Sequence, residues 1–137
     1  MDSLLRVLPQ TPGLLPKWLL FVSIVSLGNS IQTYISTNPT KQVYSRAQSS
    51  ITPLGARTFG TWTATAAIIR LYAAYNTDNK VAYELGMWAF GVAWLHYAAE
   101  WFVYGTVEWG RGLAGPACIS TGSLVWMYLQ KAAYVGS

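Results

Sequence analysis

The sequence predicts an all-α membrane protein, with four transmembrane helices in a compact bundle and both termini on the same side. Three observations predict this. Hydrophobic residues fill 53% of the 137 positions and charged residues only 10%, against about 25% charged in ordinary soluble domains. Nine Lys/Arg and five Asp/Glu cannot furnish the charged shell of a soluble fold this size. Seven Trp and nine Tyr suit the headgroup level, where amphipathic rings collect. Finally, four segments approach the roughly 20 mainly apolar residues that a helix needs to cross a bilayer core of about 30 Å.

The first span covers approximately 16–36, with no charge between Lys17 and Lys41. Pro9, Pro12 and Pro16 interrupt the stretch before it, and no clear small-x-small cleavage site follows. It therefore reads as a retained anchor, not a cleaved signal. The join 37–55 is polar, with Asn38-Pro39 and Pro53 as breakers. The second span, 56–75, contains Arg70. Its short connection, 76–80, predicts an antiparallel hairpin with the third span, 81–104, which contains Glu84, His96 and Glu100. After 105–112 the fourth span, 113–130, is charge-free between Arg111 and Lys131. The chain reads as one integral membrane domain over 1–137, without internal repeats. Arg6, Lys17, Lys80 and Lys131 flank the terminal side; Lys41, Arg46, Arg57 and Arg111 flank the other. Four against four selects no orientation by the positive-inside rule.

The net charge is +4 and the basic residues are spread evenly, which argues against nucleic-acid binding. One cysteine, Cys118, excludes an internal disulfide. Its apolar surroundings mark it as a small buried hydrophobe. One histidine excludes a histidine-rich metal site. Gly110-Arg111-Gly112-Leu113-Ala114-Gly115 matches the dinucleotide fingerprint by letter. However, no strand precedes it, and Gln130 and Lys131 stand where an acidic residue belongs. It reads as a turn with close helix packing. No catalytic, cofactor-binding or metal-ligating residue is assigned, and no cofactor is expected.

Ionisable residues inside a span require partners. His96 and Glu100, at i and i+4, share one helix face with Ala89 and Ala93. At 1.5 Å per residue, Asn29, Gln32, Arg57, His96 and Glu100 fall in one leaflet. They form a polar cluster of structural or partner-binding character, in which Arg57 and Glu100 make an ion pair. Arg70 and Glu84 form a second proposed pair across the hairpin, with snorkelling of the arginines as the competing account. The functional alternative is an intramembrane acid–base couple of His96 and Glu100. Ser23, Ser26, Ser30 and Thr33 on the first span and Thr58, Thr61 and Thr65 on the second favour close, hydrogen-bonded helix approach. Val125, Tyr128 and Lys131 fit a loose pattern proposed for cholesterol contact.

Four stretches together resemble the ergosterol biosynthetic protein 28 family: LPKWLLFVSIVSLGNSIQTY at 15–34, ARTFGTWTATAAIIRLYAA at 56–74, HYAAE at 96–100 and GPACISTGSLVWMYLQ at 115–130. The resemblance reaches all four spans. It implies a multi-pass protein of the endoplasmic-reticulum membrane with no catalytic activity of its own. Such proteins tether the enzymes of sterol C-4 demethylation: a C-4 methyl oxidase, a C-3 dehydrogenase/C-4 decarboxylase and a 3-keto reductase. The family supplies no catalytic residues to transfer. The expected partners are these membrane-bound enzymes and the bilayer, with direct sterol contact and homo-oligomerisation left open. Two other functions compete with the scaffold: a sterol isomerase-like enzyme using His96 and Glu100, and a sterol-binding carrier.

Overall fold

A computed structural model describes residues 7–136. Arg6 and the side chain of Arg111, counted above among the flanking charges, lie outside the described part. Four long helices occur where spans were expected: α1 (Leu15–Ile35), α3 (Pro53–Tyr75), α4 (Lys80–Phe102) and α5 (Arg111–Val135). A short helix, α2 (Asn38–Val43), and a 3-10 turn (Gln48–Ser50) fill the long join. No strand is present among the described residues. Of the long helices, α1 alone is apolar enough by its own composition to cross a membrane.

Local chemistry sets the boundaries. Pro53, expected as a breaker, is instead the first residue of α3. A proline at that position forfeits only an N–H that would be unpaired anyway. Ahead of it, the Thr52 hydroxyl accepts the Gly55 N–H at 2.9 Å and caps the helix. The Asn79 side chain caps α4 in the same way, through the Ala82 N–H at 3.0 Å. α5 continues beyond Lys131, whose ammonium meets Glu84 on α4 at 2.8 Å. With 35% and 39% of the two side chains exposed, the pair is screened by solvent and adds little to stability. Lys131→Ala should therefore lower the melting temperature in detergent only slightly. A collapse of the fold would show that the pair is far better shielded than this exposure implies.

α1 lies along α3, α3 pairs with α4 through the hairpin, and α4 packs on α5. The α1–α3 contact is close because Gly60 faces Thr33, whose hydroxyl occupies the space a Cβ would need. Hydroxyls stitch the same interface: Ser30 to Thr63 at 2.7 Å and Tyr34 to Thr61 at 2.6 Å. Between α4 and α5, the Tyr83 phenol donates to the Met127 carbonyl at 2.6 Å. α1 and α5 make little direct contact along their length. At one end, the Trp18 indole donates to Ser123 Oγ at 2.8 Å. At the other, α2 bridges the gap, with Gly112 lying directly on the backbone of Gln42. Gly112 thus has the close-packing role expected of the 110–115 glycines, but inside the first turn of a helix. Gly13 abuts Tyr134, so both described ends lie at one end of the bundle.

Two packed layers result. Leu15, Leu19, Val22, Ala73, Ala74, Tyr83, Phe90 and Met127 fill the end near the hairpin. Val43, Ala93, Tyr97, Val107 and Leu113 fill the other. Other large apolar residues face outward: Ile31, Trp88, Phe102 and Leu129 are each at least 64% exposed. Cys118, expected to be buried, is exposed. The buried stripe of α5 runs through Ser120, Ser123 and Met127, and at 3.6 residues per turn position 118 falls off that face.

Candidate functional site

The residues of the expected polar cluster separate into two environments. Asn29 and Gln32, on α1, are exposed and line an open cavity of about 350 Å³ between α1, α2, α3, α4 and α5. His96 lies beside that cavity in a box of rings. Its ring centroid is 5.9 Å from that of Tyr44, 5.1 Å from Trp62 and 5.3 Å from Tyr97. Phe59 closes the box edge-on to both Tyr44 and Trp62. The polar partner of His96 is the Tyr44 hydroxyl, 2.6 Å from Nε2. Tyr44 stands in the long join, immediately after α2, so this bond ties the join to α4. Burial pushes the Tyr44 phenol well above its ordinary range, and nearby Tyr97 and Glu100 add to the shift. The phenol therefore stays protonated and can donate to the imidazole.

The Arg57–Glu100 pair does not form. Arg57 is exposed, and Glu100 Oε2 instead accepts from the Thr106 hydroxyl at 3.1 Å. Side chains tilt toward the N-terminus of their own helix. On antiparallel α3 and α4 this sends Arg57 outward toward the join and Glu100 back into the bundle. His96 and Glu100 share a helix face but hydrogen-bond to separate partners, Tyr44 and Thr106. The ion pair found at this end is Arg46–Glu108, 3.2 Å apart and largely exposed.

The Arg70–Glu84 pair does not form either, for the same reason. Arg70 tilts away from the hairpin while Glu84 tilts toward it, where Lys131 meets it. Arg70 lies five residues before the end of α3 (75 − 70), and Ala89 lies nine after the start of α4 (89 − 80). Arg70 Nη2 donates to the Ala89 carbonyl at 3.2 Å. At 1.5 Å per residue, the guanidinium sits about 6 Å deeper in the bundle than its own Cα. Snorkelling would carry it the other way. Its carbon lies 4.2 Å from the centroid of the Phe90 ring, and Arg70 lines the same cavity as Asn29 and Gln32. The roles of Tyr44 and of the cavity had no sequence signal beyond an aromatic residue standing in a polar join.

The family model described as Erg28 like protein matches residues 15–125. The chain is 52% identical over 130 residues to the ergosterol biosynthetic protein 28 of Candida albicans, covering 94% of each chain. It is 47% identical to that of Saccharomyces cerevisiae, covering 90% of this chain and 84% of the relative. The human ergosterol biosynthetic protein 28 homolog is 34% identical over 116 residues, covering 84% and 83%. No solved structure matches. The matched span takes in α1 to α4, the long join and most of α5, and with it every residue of the aromatic box, the cavity and the two arginines. The chain belongs to the Erg28-like family.

Proposed function

We propose that the protein is a non-enzymatic scaffold of the endoplasmic-reticulum membrane that holds the sterol C-4 demethylation enzymes side by side in ergosterol biosynthesis. Membership of a family whose relatives are named for ergosterol biosynthesis carries this proposal. Those names give a pathway and no reaction. The site geometry favours a binding role: His96 is held by Tyr44 and Glu100 by Thr106, an arrangement suited to fixing the join on the bundle. Sterol intermediates are scarce and membrane-soluble, and linking consecutive enzymes raises effective concentration without new chemistry.

A single four-span membrane domain suits this role. α1, α3, α4 and α5 contain 21, 23, 23 and 25 residues, or about 31 to 38 Å of helix at 1.5 Å per residue. Large apolar side chains face outward on all four, where lipid or partner helices would cover them. Arg70, Thr33 and Ser120 turn inward and are buried, as intramembrane polar groups are. Tags placed on the two termini should be both protected or both accessible in sealed microsomes. Opposite accessibility would eliminate the four-span topology.

The functional test is biochemical. Solubilised in mild detergent, the protein should co-purify with the C-4 methyl oxidase, the decarboxylating dehydrogenase and the 3-keto reductase. Alone, supplied with NADP(H), iron and oxygen, it should turn over no sterol. Robust turnover by the isolated chain would replace the scaffold with an enzyme.

A further inference from the structure

We propose that the cavity between α1 and α5 binds one membrane lipid bearing a carboxylate, and that Arg70 holds the carboxylate. Arg70 is 8% exposed. Its Nε is sealed from solvent without a hydrogen-bond partner, and Nη2 has only the Ala89 carbonyl. Among the described residues no salt bridge includes it; Glu84 pairs with Lys131. A desolvated guanidinium without a counter-ion is expensive, and a π face and one carbonyl compensate it only in part. A carboxylate accepts two parallel N–H bonds from such a group. The same group in a soluble anion would have no means of reaching this depth, so the anion must arrive on an apolar body.

The cavity fits that body. Its volume of about 350 Å³ lies within the roughly 300–1,000 Å³ of small-molecule sites. Phe21, Phe59, Trp62 and Phe90 give it broad aromatic walls, and Asn29 and Gln32 give it a polar end opposite Arg70. Access follows from the packing. α1 and α5 approach closely only where Trp18 meets Ser123, while α2 bridges the far end. Phe21 and Val25, at the edge between, are exposed. The seam is a lateral opening toward lipid. An anionic group follows from Arg70 by itself; a carboxylate on a sterol ring system rests on the function proposed above.

Purified protein in detergent tests this with three probes: cholenic acid, its methyl ester and oleate. Saturable binding of cholenic acid is expected, weaker by about tenfold to a hundredfold for the ester and for Arg70→Gln, the range that losing a charge-assisted contact gives. Ser26→Leu, which narrows the cavity with Arg70 in place, should weaken the acid as well. Equal affinity for oleate would identify the acid group as what is recognised; preference for cholenic acid would identify a sterol acid. The proposal is overturned if neither acid binds saturably, if acid and ester bind alike, or if folded Arg70→Gln binds like the parent. Should Arg70→Gln fail to fold, unweakened binding by Ser26→Leu overturns it equally. Enzyme co-purification is a separate readout, so failure here leaves the scaffold standing.

Discussion

Gly60→Leu should abolish accumulation of the folded protein. The backbone of α3 at Gly60 lies against Thr33, and a Cβ there would also sit 3.0 Å from the Ser30 carbonyl. The obstacle on α1 is therefore partly backbone, which cannot turn aside as a side-chain tip can. A leucine would force the helices apart and break the Ser30–Thr63 and Tyr34–Thr61 hydroxyl contacts on either side. Overpacking alone typically costs about 1–3 kcal/mol, and each lost hydrogen bond adds about 1 kcal/mol. The sum, about 3–5 kcal/mol, reaches the low end of the roughly 5–15 kcal/mol that stabilises a small domain. Gly28, on the same α1 helix, has nothing within 4 Å of its Cβ position, so Gly28→Leu is the matched control. Steady-state abundance in the membrane and thermal melting in detergent read both. Normal abundance of Gly60→Leu would mean that the α1–α3 interface is not as close as described.

Helices were legible in the sequence, and pairings were not. Each apolar segment between polar joins became one helix, because apolar length and breakers are local properties. The errors at the ends, as at Pro53, came from giving a residue one meaning where its position decides between two. Proline ends a helix from inside but begins one when a capping threonine precedes it. Depth along the spans placed Arg57 near Glu100 and Arg70 near Glu84, but depth was measured at Cα. On antiparallel helices the N-terminal tilt of Cβ moves facing side chains in opposite directions. One guanidinium went outward and the other inward, away from both carboxylates. The hydroxyl pattern on α1 and α3 was read correctly as close approach, but Gly60, where the two helices come nearest, was not singled out. The cavity was not legible at all. It exists because α1 and α5, the two helices most distant in sequence, meet near the start of α1 and are held apart by α2 at the far end.

Tyr44→Phe should destabilise the protein by about 1–3 kcal/mol, and most of that loss should vanish when His96→Leu is added. Tyr44 stands in a polar join and His96 on α4, and their 2.6 Å bond is part-buried inside the aromatic box. Removing the hydroxyl leaves a half-buried imidazole nitrogen without its partner, which costs up to the desolvation of a buried group, about 1–3 kcal/mol. His96→Leu alone strands the phenol in the same way. Replacing both partners by apolar groups of similar shape removes the unmet demand, and such double changes are often nearly neutral. A coupling of about 1–2 kcal/mol between the two positions is therefore expected, measurable as a double-mutant cycle on detergent melting. His96→Gln keeps a hydrogen-bonding side chain but not the imidazole, and should support sterol synthesis at close to normal abundance. The single variants should also free the join, making 44–52 more susceptible to proteolysis than in the parent. Additive losses would dissolve the proposed link between join and bundle. Complete loss of sterol flux in His96→Gln, at normal abundance and with partner enzymes still bound, would return His96 to a catalytic role.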